Sequence, residues 1–357
     1  MSEFWNKIYS IGLGEFYFKN KIDFRGMVNF PYSENLRLIS DNIISHKRAL
    51  VAIGGGKDSI VTAELLKSKK IEFDAFVVET QNDFSVTDEV ISKMSIDKVN
   101  IRRNIDEKLF ELNKIPNVLN GHIPVSAIYA FLGVFAAVLY GYDSVITSNE
   151  RSANYGSVEY LGKMINHQWS KSEEFEKMFR DYVHETVSKG INYFSLLRPM
   201  SELAIAYQFS KFPKYFQIFT SCNTNFRINK IANFLWCGRC AKCAFVFLVL
   251  SAFLDKKTCL DIFGNNLLDN VWLLDTYREL LGIKGLKPFD CVGSPDEVRA
   301  AFYLIHKKVE FKSSCAVLMF QKEVGFSSDI EASLEISKAL KSNFDVYLPE
   351  AFKGVFN

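Results

Sequence analysis

The chain has 357 residues, a length typical of two or three domains or of one large α/β domain with additions. Hydrophobic residues make up 48% and charged residues 24%, as in ordinary globular proteins, so a sizeable core is available. The formal net charge of +2 gives no reason to expect a nucleic-acid partner, although a local basic patch can hide in a near-neutral total. No basic region followed by an apolar run marks a secretory signal, and we expect a cytoplasmic protein.

Two apolar stretches are candidates for membrane spans. Residues 244–254 are too short to cross a bilayer. Residues 123–142 are nearly long enough, but they contain Pro124, Ser126 and two glycines and run directly into a strand-like segment. This pattern favours a fully buried helix of an α/β core, and we expect no membrane span.

The predicted elements alternate between strands and helices after an N-terminal cap or small subdomain at residues 1–45. Strands are predicted at 48–53, 73–78, 98–101, 144–147, just before 197, and at 215–220. Helices are predicted at 58–67, 123–140, 172–188 and 201–211. This alternation indicates a Rossmann-like parallel sheet with helices on both faces, and we assign residues 46–221 to this α/β domain.

The C-terminal part, residues 222–357, is predicted to combine a cysteine knuckle with a helical lobe. Helices are predicted at about 243–254, 259–281, 296–308 and 329–341. Two prolines and two glycines between 285 and 295 indicate a loop.

The most informative motif is the glycine-rich loop between the first predicted strand and helix. It reads Gly54-Gly55-Gly56-Lys57-Asp58-Ser59. Glycines let the backbone approach a phosphate closely, and the amides at the following helix N-terminus favour an anion. A tight structural turn is the alternative interpretation. The loop is neither a Walker motif nor a Gly-x-Gly-x-x-Gly motif.

This loop resembles the Ser-Gly-Gly-x-Asp-Ser loop of the PP-loop ATP-pyrophosphatase superfamily, which has the adenine nucleotide alpha hydrolase-like fold. Gly54 stands where that motif has its first serine, which removes one hydroxyl contact. The resemblance implies that the loop grips the β- and γ-phosphates of ATP, that Lys57 neutralises charge on pyrophosphate, and that Asp58 helps to hold Mg²⁺. It also implies an adenine site near the end of the second strand, around Glu79.

Four cysteines cluster in the sequence with the spacing of a metal knuckle. They are Cys222, Cys237, Cys240 and Cys243. Thiolates at Cys-x2-Cys spacing can converge on a tetrahedral ion, so we favour a structural zinc. A redox pair or an iron–sulfur cluster is the alternative. A third interpretation is that the cysteines are buried free thiols without a metal. A similar four-cysteine zinc site occurs in the deazaguanine nitrile synthases of the PP-loop superfamily.

Polar segments follow the predicted strands, where an open parallel sheet binds its ligands. Asn149, Glu150 and Arg151 come after the fourth strand, and we expect them to face ATP and substrate. His167 lies in a loop with Lys and hydroxyl neighbours and is a general acid or base candidate, because its ordinary pKa lies near neutrality. Arg198 can bind a carboxylate or phosphate with two hydrogen bonds. For all of these segments, the alternative interpretation is structural: the polar side chains cap helices or solvate loops.

The ordered set of motifs resembles the MurL-type family of UDP-N-acetylmuramoyl-L-alanyl-L-glutamate epimerases. The set comprises Gly-Gly-Gly-Lys-Asp-Ser, His122-Ile-Pro-Val, Ser-Asn-Glu-Arg-Ser-Ala, Asn-His-Gln-Trp-Ser-Lys-Ser, Leu-Arg-Pro-Met-Ser-Glu-Leu, Ser-Cys-Asn, Trp-Cys-x2-Cys-x-Lys-Cys and Lys287-Pro-Phe-Asp-Cys-Val-Gly. Together these motifs span roughly residues 20 to 305. The resemblance implies an ATP-dependent, AMP-forming epimerase that inverts the terminal glutamate of a UDP-linked muramoyl dipeptide.

The implied reaction gives the candidate residues their roles. Adenylation removes the charge of a carboxylate whose Cα–H is otherwise a very poor acid, after which a base and an acid can move the proton between faces. Our candidates for the proton relay are His167 and Glu150, with Lys171 or Cys222 as further choices. Arg198 would hold a substrate carboxylate or a phosphate.

Two other functions are open. One is a nucleobase-modifying PP-loop ATPase of the 7-cyano-7-deazaguanine synthase or tRNA thiolation kind, which the cysteine knuckle would fit. A tRNA enzyme usually carries a larger basic excess than +2. The other is a non-enzymatic nucleotide-binding module, against which the presence of Lys57, Asp58 and Ser59 argues.

Overall fold

A computed structural model describes residues 1–32, 48–79, 86–225, 234–326 and 328–356. Its centre is a five-stranded parallel sheet, accompanied by a small antiparallel hairpin. The strands are β1 (Ala49–Ala52), β2 (Phe73–Glu79), β3 (Lys98–Arg102), β4 (Ser144–Thr147), β5 (Val158–Tyr160), β6 (Lys163–Ile165) and β7 (Asn192–Ser195). The main sheet has the order β3-β2-β1-β4-β7, and β5 pairs with β6 in the hairpin. The predicted Rossmann-like parallel sheet is therefore confirmed.

Helices cover both faces of the sheet and form most of the C-terminal part. They are α1 (Ser2–Ser10), α2 (Gly14–Lys19), α3 (Lys57–Ser68), α4 (Val86–Met94), α5 (Glu107–Leu112), α6 (Val125–Tyr140), α7 (Glu173–Thr186), α8 (Glu202–Phe209), α9 (Ala241–Ser251), α10 (Lys256–Phe263), α11 (Leu274–Leu280), α12 (Pro295–His306), α13 (Cys315–Glu323), α14 (Asp329–Leu340) and α15 (Glu350–Lys353). Within the described residues, no helix is both long and apolar enough to cross a membrane.

Two hydrophobic cores lie on opposite faces of the sheet. One includes buried residues of α3, α8, α9 and α12 and continues through the C-terminal helices. The other joins α1, α6 and α7 and is rich in aromatic rings. Because strand side chains alternate between faces, neighbouring residues of β1 enter different cores: Leu50 packs in the second and Val51 in the first. The domain boundaries at 45/46 and 221/222 stay predictions, and the first core continues across the second of them.

The sheet topology gathers three loops at one edge. Strand β1 pairs in parallel with β2 on one side and with β4 on the other, so the strand order reverses between β1 and β4. Strand β4 pairs in turn with β7, with Thr147 opposite Ser195. The segments after β1, β4 and β7 therefore leave the same edge, at the position where open α/β sheets bind ligands.

Two expected elements differ from the structure. The predicted strand at 215–220 is wrong, because Pro213–Tyr215 forms a 3₁₀ turn and the aromatic side chains that follow reach the core from a loop. The predicted helix at 259–281 is broken, since α10 ends at Gly264 in the left-handed region with φ of 78°. The segment at 215–220 is apolar, and a short apolar run does not distinguish a strand from a packed turn. The segment at 259–281 contains Gly264 followed by two asparagines, which favour the end of a helix.

Candidate active site

The glycine loop forms a tight turn between β1 and the N-terminus of α3. Gly55 has φ of 79°, a conformation that favours glycine, and Gly56 is the N-cap residue of the helix. A Cβ on Gly55 would lie 3.0 Å from the side chain of Val86, whereas one on Gly54 would meet nothing within 4 Å. The loop therefore brings backbone amides and the positive end of a helix dipole to one point, which is an anion-binding geometry.

Lys57 lies at the centre of a buried network of charges. Its side chain is fully buried and contacts the carboxylates of Asp58 and Glu202. Glu202 is the first residue of α8 and is also fully buried, with the ammonium group of Lys242 3.5 Å away. Burial opposes the charge of Glu202, but Lys57 and Lys242 outweigh it and hold the pKa at about 2. Both members of the pair are therefore charged at neutral pH.

Glu150 lies beside this network as a buried acid with one unpartnered oxygen. Its side chain is 5% exposed, and one carboxylate oxygen has no hydrogen-bond partner among the described residues. Burial and the negative charge of Glu202 raise the pKa of Glu150 to about 7. The group can therefore gain or lose a proton near neutral pH, as a general acid or base must.

A second cluster lies beside Glu150 and is built around Cys291. The ammonium nitrogen of Lys171 lies 3.0 Å from the Cys291 sulfur. His167 hydrogen-bonds Cys291 and the buried carboxylate of Glu15. Burial alone would raise the pKa of Cys291, but Lys171 and His167 outweigh it and lower the pKa to about 6. At neutral pH the thiol is therefore mostly a thiolate.

His167 carries the positive charge of a histidine pair. Burial opposes its charge, but the hydrogen bonds to Cys291 and Glu15 raise its pKa to about 9. The ring of His122 lies 4.4 Å from that of His167. Burial and the charge of His167 lower the pKa of His122 to about 4. Glu15 belongs to α2, so the N-terminal segment contributes directly to this site.

Arg198 joins the loops that carry the reactive groups. Its side chain is 1% exposed and donates to the backbone carbonyls of Glu150 and Lys171, each at 2.7 Å. It also pairs with the buried carboxylate of Glu176 at 2.9 Å. These three contacts occupy most of the guanidinium donors. Direct binding of a substrate by Arg198 stays a prediction, and the observed contacts position Glu150 and Lys171.

The other three predicted binding residues lie at separate places around the sheet edge. The amide of Asn149 donates to the hydroxyls of Thr147 and Ser195, which ties β4 to β7. Arg151 lines a cavity of about 390 Å³ together with Glu297. Glu79 lies at the end of β2, where its carboxylate pairs with Lys98 at 3.5 Å and with Arg102 at 3.8 Å. Residues 80–85, which include part of the expected adenine region, lie outside the described residues.

The four clustered cysteines converge as their spacing predicts. Their sulfurs all lie within 4.8 Å of one another, with 3.7 Å between Cys237 and Cys243 and 3.4 Å between Cys240 and Cys243. Tetrahedral bonds of about 2.3 Å place thiolates roughly 3.8 Å apart, so these distances fit a shared ion. Backbone amides of Arg239 and Cys243 point at the sulfurs, and Gly238 turns the chain with φ of 63°. The cluster can therefore hold a metal.

Sequence reasoning missed several residues of the site. Glu202 and Lys242 lie within the motifs quoted above, but the sequence assigns neither of them a role in the site. Cys291 lies in the last motif of the ordered set, but the sequence assigns it no role in the site. Ser221 has a buried hydroxyl without a partner among the described residues and lies against Gly56. Only the fold reveals that these positions meet.

Comparison with known proteins agrees with the family resemblance that the ordered motifs indicate. The family model of the MurL N-terminal domain matches residues 1–196, and that of the MurL C-terminal domain matches residues 218–334. A UDP-N-acetyl-alpha-D-muramoyl-L-alanyl-L-glutamate epimerase of Xanthomonas oryzae pv. oryzae (strain MAFF 311018) is 40% identical over 89% of this chain and 70% of its own length. One of the same name from Salinispora tropica (strain ATCC BAA-916 / DSM 44818 / JCM 13857 / NBRC 105044 / CNB-440) is 38% identical over 87% of this chain and 67% of its own length.

The similarity to solved structures is much weaker. A predicted subunit of tRNA methyltransferase from Methanocaldococcus jannaschii DSM is 16% identical and covers 46% of this chain and 76% of its own. The TM-score of this pair is 0.29, which does not show a shared fold. The parallel sheet itself defines the fold of this chain. From the two family models and the curated relatives, the chain belongs to the MurL family.

Proposed function

We propose that the protein is an ATP-dependent epimerase that inverts the terminal L-glutamate of UDP-N-acetylmuramoyl-L-alanyl-L-glutamate during the synthesis of peptidoglycan precursors. The observation that carries this proposal is the 40% identity to an epimerase of that name over 318 residues. The anion-binding turn at Gly55 and the buried acid of Glu150 supply, within one sheet edge, the two kinds of group that the reaction needs.

ATP is proposed to bind at the glycine loop. The amides of Gly54, Gly55, Gly56 and Ser59 would receive the β- and γ-phosphates at the N-terminus of α3. On binding, Lys57 would exchange its contact with Glu202 for one with phosphate. Asp58 would help to hold Mg²⁺, which prefers carboxylate and phosphate oxygens. Glu79, Asn149 and Arg151 are proposed to contact the rest of the nucleotide.

The chemistry follows from the weak acidity of the substrate Cα–H. An oxygen of the glutamate carboxylate would attack the α-phosphorus of ATP, and the bond to pyrophosphate would break. The mixed anhydride has no carboxylate charge, so the Cα proton can leave as the electrons move onto the acyl oxygen. A proton then returns on the opposite face, and water cleaves the anhydride to AMP and the D-glutamate product.

Glu150 and His167 are the proposed members of the proton relay. Burial raises the pKa of Glu150 to about 7, and that of His167 is about 9 despite burial because it bonds Cys291 and Glu15. A general acid or base acts best when its pKa lies near the working pH, which favours Glu150 as the group that exchanges protons readily. Arg198 is proposed to hold Glu150 and Lys171 in place through their carbonyls.

The cysteine cluster is proposed to hold a structural zinc. Its four sulfurs come from two separate segments, so an ion would join Cys222 to the knuckle at 237–243. All four positions are filled by thiols, which is typical of a closed structural site rather than of a catalytic one. A UDP-linked substrate and ATP support the proposal that the activity is cytoplasmic.

The test is an assay of the purified protein with ATP, Mg²⁺ and the UDP-linked dipeptide in deuterated water. The proposal expects dipeptide-dependent release of AMP and pyrophosphate, together with deuterium at the glutamate Cα. AMP formation only with a deazapurine acid or a tRNA would favour the nucleobase-modifying alternative. The absence of AMP with all of these substrates would leave a nucleotide-binding module and refute the epimerase.

A further inference from the structure

Cys291 is a nucleophilic group to which the proposed function has given no role. It lies in the loop before α12, and it is neither in a disulfide nor part of the four-cysteine cluster. The loop between β6 and α7 supplies both polar neighbours of its sulfur, Lys171 at 3.0 Å and the ring of His167. A third contact fixes its backbone, because Lys242 of α9 donates to its carbonyl oxygen. A cysteine that only fills space does not need a cation and a histidine at its sulfur.

The surroundings keep this sulfur negatively charged. Lys171 and His167 lower the pKa of Cys291 to about 6 against the effect of burial. The thiolate is the reactive form of cysteine, and paired cations are the usual means of producing it. The sulfur is therefore a base that is available at neutral pH.

Cys291 and Glu150 face the same two ammonium groups. Lys171 and Lys287 each interact electrostatically with both Glu150 and Cys291. Lys287 is 7% exposed and Glu150 is 5% exposed, so their charges interact away from bulk water. One oxygen of Glu150 has no partner among the described residues. Glu150 and Cys291 therefore share a buried, positively charged environment that would stabilise an enolate.

His167 is less suited to take a proton from the substrate itself. Its ring bonds the carboxylate of Glu15 and the sulfur of Cys291 at once. A charged ring with both partners occupied has no lone pair with which to accept a proton. Within the proposed relay, the histidine therefore acts on the substrate through Cys291 and not by direct contact.

We propose that Cys291 is a catalytic residue that exchanges the Cα proton of the activated glutamate, with Glu150 serving the opposite face and Lys171 and His167 acting as positioning residues. This inference rests on the proposed function. The thiolate takes the Cα proton and becomes a thiol, and the electron pair moves onto the acyl oxygen. The protonated carboxyl of Glu150 then gives its proton to the other face of Cα. The thiol loses its proton to solvent and Glu150 regains one, which restores both groups.

The test separates activation of the substrate from proton exchange. In Cys291→Ser and Cys291→Ala, we expect dipeptide-dependent pyrophosphate release to stay within a few-fold of the wild type. Deuterium entry at Cα should fall by about 10²- to 10⁴-fold, the usual contribution of a general acid or base. Cys315→Ser is the matched control, because this cysteine lies outside both clusters on α13 and its loss should change neither rate.

A second measurement reports the thiolate directly. The rate at which iodoacetamide alkylates Cys291, followed by peptide mass spectrometry, should rise with a midpoint near pH 6. Lys171→Met should move that midpoint upward, which a merely structural lysine would not do. Near-wild-type deuterium entry in Cys291→Ala, or loss of its pyrophosphate release in a folded protein, would overturn the inference. Absence of dipeptide-dependent AMP in the wild type would refute the proposed function instead.

Discussion

Replacing Lys57 by alanine should damage both stability and activation of the substrate. The lysine is fully buried between Asp58 and Glu202, so its removal leaves a buried carboxylate short of one cation. Breaking a buried ion pair from one side costs about 3–5 kcal/mol. Lys242 stays 3.5 Å from Glu202, and we therefore expect a cost near the lower limit, about 3 kcal/mol. That is a large fraction of the free energy of unfolding of a typical domain, which is roughly 5–15 kcal/mol.

The effect on catalysis should be separable from the effect on stability. Loss of one preorganised contact to developing charge lowers kcat by about 10²- to 10³-fold. Urea unfolding gives the first quantity, and dipeptide-dependent pyrophosphate release at a temperature where the variant is folded gives the second. Lys57→Met combined with Glu202→Gln removes both charges of the pair, so it should recover part of the stability while remaining inactive; Lys242 then lacks its carboxylate partner.

A lysine of the same helix serves as the control. Lys67→Ala removes a partly exposed cation from α3 and should change stability by only about 0.5 kcal/mol. Unchanged pyrophosphate release in Lys57→Ala would remove the loop from the mechanism. Unchanged urea stability would show that the buried ion pair does not contribute as argued.

Three further predictions concern the other parts of the site. Burial and the negative charge of Glu202 raise the pKa of Glu150 from 4.5 to about 7, so the contribution of Glu150 to stability should be full below about pH 4.5 and be lost as the pH rises through about 7. The urea midpoints of Glu150→Gln should lack this decline. Metal analysis should find about one zinc per chain, and Cys237→Ala should lose it and unfold more easily; a folded wild type without metal contradicts this. Gly55→Ala should cost about 1–2 kcal/mol because of its positive φ, measured against Gly54→Ala, which meets open space.

The sequence predicted the sheet well because four of its five strands, all but β3, are short and largely buried, and helical patterns lie between them. It also predicted the glycine turn and the convergence of four cysteines, since both are local motifs with a physical requirement for particular residues. The strand expected at 215–220 was wrong, because buried aromatic residues such as Phe219 look the same in a strand and in a turn.

The charge network could not be predicted from local patterns. Lys57 and Glu202 are 145 residues apart and meet only because β1 and β7 flank the same strand. Cys291 lies 120 residues from Lys171, and no local sequence pattern around either residue indicates that they are in contact. Glu15 could not be foreseen as a partner of His167, since one lies on the N-terminal helix and the other beyond the hairpin. Long-range pairs of this kind depend on tertiary packing.

The position of Lys242 ties the cysteine cluster to the chemistry. It lies between Cys240 and Cys243 in the first turn of α9, and its ammonium group reaches both Glu202 and the backbone of Cys291. An ion bound by the four cysteines would fix the start of this helix and therefore also the position of the Lys242 side chain. If the cluster holds zinc as proposed, growth under metal starvation would weaken the enzyme, and the supply of a cell-wall precursor would depend on the availability of a trace element.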